Sequence, residues 1–522
     1  MESSIQLNLI IYRLRTLTAL KIINCKFNYD NQYNFSILVQ SITNKKLMKK
    51  NRLFLIRSLI CLSLFSTTFL SCKNKVEEQK PADIFDAADK IIKSIKVLEF
   101  PNNTFNITDF GAIADGQTNN SEAIKKTIEA CSQAGGGKVI IPSGQFLTGP
   151  IHLKSNINLH LETGAEVLFS KDRKDYLPVV HTSYEGQELM NYSPLVYAYK
   201  QKNIAITGKG VFNGQASKTN WWPWCGAERY GHLENTPQQK DKHNLPRLWA
   251  FSENNTPVSE RIFGEGYQLR PLFIQPFECE NVLIQGVTIT NAPFWVIHPI
   301  KCNYVRVEGV TVNSHGPNND GCDPEYSKNV HINKCVFNTG DDCIAIKSGR
   351  NNDGRQVNIP SENIVVENCD MKDGHGGVVM GSEISAGVRN VYVRNCKMDS
   401  PELDRAIRIK TNTLRGGFVE NVYVKNIEVG QVKESVLKIN LYYAIYGTQE
   451  GDFMPTVKNI HLQDIKVENG GKYGILIKGR PESFVKNVTF TNVEIKNAQT
   501  PLSVENSEPI IFKNTTINGE KY

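Results

Sequence analysis

Asn281-Val282-Leu283-Ile284-Gln285-Gly286-Val287-Thr288-Ile289 is a phrase that the chain repeats. It returns as Asn329-Val-His-Ile-Asn-Lys-Cys-Val-Phe337 and as Asn363-Ile-Val-Val-Glu-Asn-Cys-Asp-Met371, and it opens again at Asn390, Asn421, Asn459 and Asn487. Weaker copies begin at Asn203, Tyr304 and Pro509. The spacing, roughly 22 to 38 residues, is that of a solenoid. Within each copy apolar and polar residues alternate, the period of a strand with one buried face. No copy holds a helical pattern. These features predict an all-β chain: a right-handed, single-stranded parallel β-helix in which each copy supplies part of one coil and the longer spacings are loops inserted on one side. The leading Asn tolerates the left-handed conformation and can hydrogen-bond along a stack of turns.

Upstream, Ser121-Glu-Ala-Ile-Lys-Lys-Thr-Ile-Glu-Ala-Cys131 places Ala123, Ile124, Thr127, Ile128 and Cys131 on one helical face, with Ser121 as the expected N-cap. A solenoid needs its open end covered, and this N-terminal helix suits that task. Gly135-Gly-Gly-Lys138 follows the helix and lacks the Gly-Lys-Ser/Thr ending of a phosphate loop, so it reads as a turn into the first coil. The solenoid is expected over residues 101–520.

The formal charge of +7 resides in residues 1–72, which hold ten of the 60 Lys/Arg and two of the 53 Asp/Glu; the remainder, 50 against 51, is close to neutral. The basic balance is therefore no argument for nucleic acid. Met48-Lys49-Lys50, an apolar run from Leu53 to Leu70, and Phe69-Leu70-Ser71-Cys72 form an export signal. The final cysteine resembles a bacterial lipidation site, with Phe69 where leucine is usual. We expect residues 1–47 to be an upstream extension, 48–72 a signal peptide with lipid on Cys72, and 73–100 a linker. The expected location is the periplasm or cell surface, with a lipid anchor as the one membrane contact. Cys335, Cys369 and Cys396 fall where other copies carry Val or Ile, and read as buried thiols.

Four short segments interrupt the strand pattern: Asn318-Asn319-Asp320, Gly340-Asp341-Asp342, Gly374-His375-Gly376 and Arg408-Ile409-Lys410. Adjacent strand residues point to opposite faces, so Asp341 and Asp342 can share a cleft only if Gly340 and its neighbours form a turn. Asp320 precedes Asp341 by 21 residues, about one coil. Three carboxylates so placed cannot all ionise freely, and at least one pKa should rise. One protonated acid beside ionised partners is the requirement of glycoside cleavage. Arg408 and Lys410 lie on one face of a strand and can grip a planar carboxylate. The stretch 214–270, with Trp221, Trp222, Trp224 and Trp249, breaks the rhythm; its tryptophans read equally as sugar platforms or loop anchors.

In this order on a β-helix, the four motifs resemble family twenty-eight of the glycoside hydrolases, the polygalacturonases, over about residues 100–515. Asn319 stands where the family has Thr. The resemblance implies inverting hydrolysis of α-linked galacturonic acid, with acid and base roughly 6.5–9.5 Å apart. It implies Asp341 as general acid, Asp320 and Asp342 as the pair that holds and deprotonates water, and His375 as a hydrogen-bonded partner of the acid. Arg408 and Lys410 would bind the substrate carboxylate, Asn318 the water or sugar, and either Tyr442 or Tyr443 would line the cleft. Asn191-Tyr-Ser-Pro194, Ser348-Gly-Arg-Asn-Asn-Asp-Gly-Arg355 and Thr411-Asn-Thr413 resemble the bacterial exo-acting branch, with residues 214–270 and 349–361 as the wall closing one cleft end. The implied partner is homogalacturonan or its oligomers, met by a monomer without cofactor or bound metal. Competing expectations are a rhamnogalacturonan or side-chain hydrolase of the same family, a Ca²⁺-dependent pectate lyase, and a non-catalytic glycan-binding lipoprotein.

Overall fold

A computed structural model describes residues 83–444 and 450–522. The expected export signal, Cys72 and the expected upstream extension lie outside the described residues. Among those described, no helix is long and apolar enough to cross a membrane.

The repeated phrase builds a right-handed parallel β-helix. Val305, Val330, Ile364, Val391, Val422, Ile460 and Val488 occupy one register position on seven successive strands, each paired in parallel with the next. Their side chains are buried within the coil stack. Successive strands sit about 4.7–4.9 Å apart, so like side chains stack on like and fill the interior closely.

The leading asparagines do what their chemistry favours. Asn281, Asn329, Asn363, Asn390, Asn421, Asn459 and Asn487 all have φ between +50° and +59°. Each carboxamide from Asn363 onward donates to the one before it, at 2.8–3.2 Å. A second ladder joins Asn426 to Asn395 and Asn492 to Asp464 at the next corner. The nine cysteines described are buried and free, with Cys335, Cys369 and Cys396 among them.

The cap helix α1 at Ser121–Gln133 buries Ala123, Ile124, Thr127, Ile128 and Cys131, the predicted face. Its N-cap is Asn120, not Ser121. Ser121 is diverted: its hydroxyl donates to Asn119 Oδ1 and accepts from the Gly149 amide. The glycine turn is set by crowding, since a Cβ on Gly136 would lie 2.4 Å from the Asn156 carbonyl oxygen. The stretch read as a linker contains a helix, Asp86–Ser94, whose Asp89 pairs with Arg394 on the outer sheet face.

Candidate active site

The four motifs fall on consecutive coils. Gly321 N donates to Asp342 O, so the bend carrying Asp320 lies directly against the bend carrying Asp341 and Asp342. His375 N donates to Asp341 O, which sets the third coil against the second. Strand Val378–Gly381 then pairs with Arg405–Lys410, placing Val379 beside Arg408 and Gly381 beside Lys410. Between strands Val336–Thr339 and Ile344–Ile346 the chain bends, and this break brings both carboxylates together, Asp341 lining the cleft and Asp342 buried behind it. One oxygen from each of Asp320, Asp341 and Asp342 lies within 4.8 Å of the others. That is tighter than the general spacing for inversion, so the distance expected from the resemblance does not hold and separation alone does not decide the stereochemistry.

Their environments differ. Asp341 is the partly exposed one, with 18% of its side chain accessible, and its Oδ1 accepts from His375 Nδ1 at 2.9 Å and from the Asp342 amide at 3.0 Å. Burial works against its charge, but the His375 imidazolium beside it wins and holds the carboxyl well below the usual range. In return the Asp341 charge pulls His375 up to about 9. The pair thus retains one shared proton to about that pH. Asp320 is nearly inaccessible; burial pushes it up to about 7, with Lys347 opposing and Asp341 and Asp342 adding to the rise. Asp342 is fully buried and clamped by Lys410 at 2.6 Å and Arg408 at 3.4 Å.

Two expectations change here. The raised carboxyl is Asp320, whereas Asp341 holds its proton jointly with His375. Arg408 and Lys410 do lie on one face, yet their first partner is Asp342, so a substrate carboxylate would have to share them. Gly376, on the coil between them, is fixed as glycine by crowding, since a Cβ there would lie 2.5 Å from Val379 Cγ2.

The ring of Tyr443 lies 5.4 Å from Arg408 and 5.2 Å from Lys410, and it lines the cleft. Tyr442 instead packs on Arg480 and Lys478. Asn318, at φ +55°, lines the cleft while its Oδ1 accepts from the buried Arg270 at 2.8 Å. Asn319 points away and accepts from Ser314 Oγ and Gly316 N, a loop-fastening role.

Of the far wall, sequence reasoning marked only the stretch that carries Arg350. Trp295, Lys347, Glu383, Arg415, Arg350 and Glu185 line the same cleft. Glu383 is held down to about 2, against its burial, by Lys347, Arg415 and Arg350. The inserted segments interlock behind them: Arg350 pairs with Glu185 at 2.6 Å, and Arg261 pairs with Asp353 on the helix Asn351–Val357. Ser252, in the helix Leu245–Glu253, donates to the same Asp353. Trp221 and Trp224 are buried against Tyr192 and each other, so they anchor the insertion. The cleft indole belongs to Trp295.

Residues 259–516 match the family model described as Glycosyl hydrolases family 28. Residues 104–244 match a second, described as Rhamnogalacturonase A/epimerase, pectate lyase-like. The chain is similar to the hyperthermoactive exopolygalacturonase from Thermotoga maritima, at 43% identity and a TM-score of 0.80, over 84% of this chain and 96% of that one. It also resembles the family 28 exopolygalacturonase of Yersinia enterocolitica, at 26% identity and TM-score 0.62 over 80% and 78% of the two chains. The exo-poly-alpha-D-galacturonosidase of Dickeya chrysanthemi is 28% identical over 443 residues, 79% of this chain and 71% of that protein. The chain belongs to glycosyl hydrolases family 28 and is a glycoside hydrolase.

Proposed function

We propose that this hydrolase is an exo-acting polygalacturonase that removes galacturonic acid from one end of homogalacturonan with inversion. The observation that carries the reading is the partly exposed Asp341–His375 pair facing the buried, cation-clamped Asp320 and Asp342 across one cleft. Asp341, the accessible member, donates the pair's proton to the leaving oxygen. Asp320 and Asp342 are too deeply buried to attack a sugar carbon and serve instead to orient water and take its proton. Arg408, Lys410 and Tyr443 stand where a uronate carboxylate would be held, and such charge-assisted contacts favour an acid over a neutral sugar. A Ca²⁺-lyase arrangement is disfavoured by the donor set, because Lys347, Lys410, Arg408 and His375 already neutralise the carboxylates.

The exo reading draws on the interlocked wall of residues 180–191, 245–261 and 350–357 and on the exo-acting relatives. Chromatography of products from oligogalacturonides of defined length tests it. Monomer, or one fixed short product, should appear from the start with slow loss of polymer viscosity. Mixed oligomers with a rapid viscosity fall would replace it with an endo-acting hydrolase, and an unsaturated, EDTA-sensitive product with a lyase. Export through residues 48–72, with lipid on Cys72, completes the proposal; failure of labelled fatty acid to enter the wild-type protein, or equal labelling of Cys72→Ala, would remove the anchor.

A further inference from the structure

Lys347 belongs to none of the four motifs, yet it sits at the centre of the cleft's charge pattern. It follows strand Ile344–Ile346, one coil from Asp320, and its amide donates to Pro324 O at 2.9 Å. Only 3% of its side chain is exposed. The ammonium lies 3.2 Å from Asp320 Oδ2, 3.5 Å from Glu383 Oε2 and 4.2 Å from the centre of the Trp295 ring. Among the described residues it is the hydrogen-bond donor to the Asp320 carboxylate; the other oxygen, Oδ1, is buried and has no protein partner. An ammonium is a compact charge with three donors, so it can serve two carboxylates at once while the indole face offsets part of its lost hydration.

We propose that Lys347 is a positioning residue: it holds the Asp320 carboxylate in one orientation through Oδ2 and keeps that carboxylate ionised among its acidic neighbours. The proposal rests on the reading of Asp320 as a water-activating carboxylate. The charged groups facing Asp320 make the case for dependence on one cation. Asp323, close by in sequence, is itself pushed well up by burial and by the Asp320 charge, while Asp341 and Asp342, on the next coil, disfavour the charge of Asp320. His375 is committed to Asp341, and Lys410 and Arg408 to Asp342. Arg350 is paired with Glu185, and Arg415 with Glu383. Lys347 is the cation in direct contact. Its removal should therefore raise the carboxyl from its position near 7, and the base should be lost at higher pH than before.

Lys347→Met and Lys347→Arg separate this from a wall-filling role. Release of galacturonate from trigalacturonate is followed across pH 4–9, with thermal unfolding as the check on folding. In Lys347→Met the acid limb of kcat should move up by about one pH unit or more, the effect expected of losing an opposite charge within ~4–6 Å. Turnover at the acid end should fall roughly tenfold or more and recover toward wild type at the alkaline end, with KM changing less than kcat. Lys347→Arg, which keeps the charge, should return the limb to near its wild-type position. A folded Lys347→Met enzyme whose acid limb does not move, with loss uniform across pH, overturns the proposal. If that variant does not fold, Glu383→Gln carries the test: freeing Lys347 for Asp320 should move the limb down, and an unmoved or raised limb overturns the idea. Wild-type protein that releases no galacturonate would overturn the functional reading itself. Wild-type hydrolysis abolished by Asp320→Asn, beside an unmoved Lys347→Met limb, would refute Lys347 alone.

Discussion

Lys410 Nζ lies 2.6 Å from Asp342 Oδ2, reaching past the coil that carries Gly376 to clamp a carboxylate with no solvent exposure. A buried ion stripped of its partner is costly, on the order of 3–5 kcal/mol. Lys410→Met should therefore lower the stability of the folded body by about that amount, because Arg408, at 3.4 Å, is a weaker substitute. Denaturant titration against wild type checks this, and an unchanged midpoint would mean that the clamp contributes nothing to stability.

Arg408 holds Asp342 more loosely than Lys410 does, at 3.4 Å against 2.6 Å, and should be the freer of the two to be felt by substrate. Arg408→Ala is expected to reduce kcat/KM on oligogalacturonide by roughly 10–150-fold, the range of one charge-assisted hydrogen bond. Any residual turnover of methyl-esterified substrate should change little. Equal losses on both substrates would show that Arg408 acts through Asp342 alone.

Asp341→Asn removes the group that shares its proton with His375. Turnover should fall by about 10²–10⁴-fold while thermal unfolding stays near wild type. Retention of more than about a tenth of kcat would assign the acid elsewhere.

NMR of the first-formed sugar should show the β-anomer, since Asp320 and Asp342 are too deeply set to form a covalent intermediate. An initial α-product would mean that one of them reaches the anomeric carbon.

The pH profile follows from two groups. Asp320 must be ionised, so kcat/KM should rise with a midpoint about 7. The Asp341–His375 pair must keep its proton, so activity should fall as pH passes about 9. His375's folded pKa is raised, so whatever stability the pair adds is present below the ordinary imidazole range and lost as pH climbs through about 9. His375→Ala should alter the alkaline limb and leave the acid limb in place; a profile of unchanged shape contradicts the pairing.

Arg261 and Asp353 pair across the inserted wall with little exposure on either side chain. Asp353→Asn should cost about 3–5 kcal/mol of local stability and loosen the closed cleft end. Longer products should then appear from polymer alongside monomer. A product pattern identical to wild type would show that this pair does not hold the wall.

The coil register and the cap-helix face were legible in the sequence because both are periodic and local. An alternating strand repeats its Asn, its buried Val or Ile and its small thiol at the same step in each coil, and stacking merely superposes like on like. The three aspartates were legible for the same reason: Asp320 and Asp341 are one coil apart, and Gly340 marks the turn. Local order could not say which tyrosine enters the cleft, since Tyr442 and Tyr443 are neighbours on a bend, and packing sent one to Arg480 and the other to Lys410. It could not say that Arg408 and Lys410 spend their charge first on Asp342, a contact between residues 66 and 68 positions apart in the chain. Nor did any motif mark Lys347, Glu383, Arg415 or Trp295. Their proximity is between coils and inserted loops far apart in the chain. What the sequence alone determined was the scaffold and which three carboxylates its coils bring together; where the protons rest was decided by burial and by cations brought from other coils, which are properties of the folded chain.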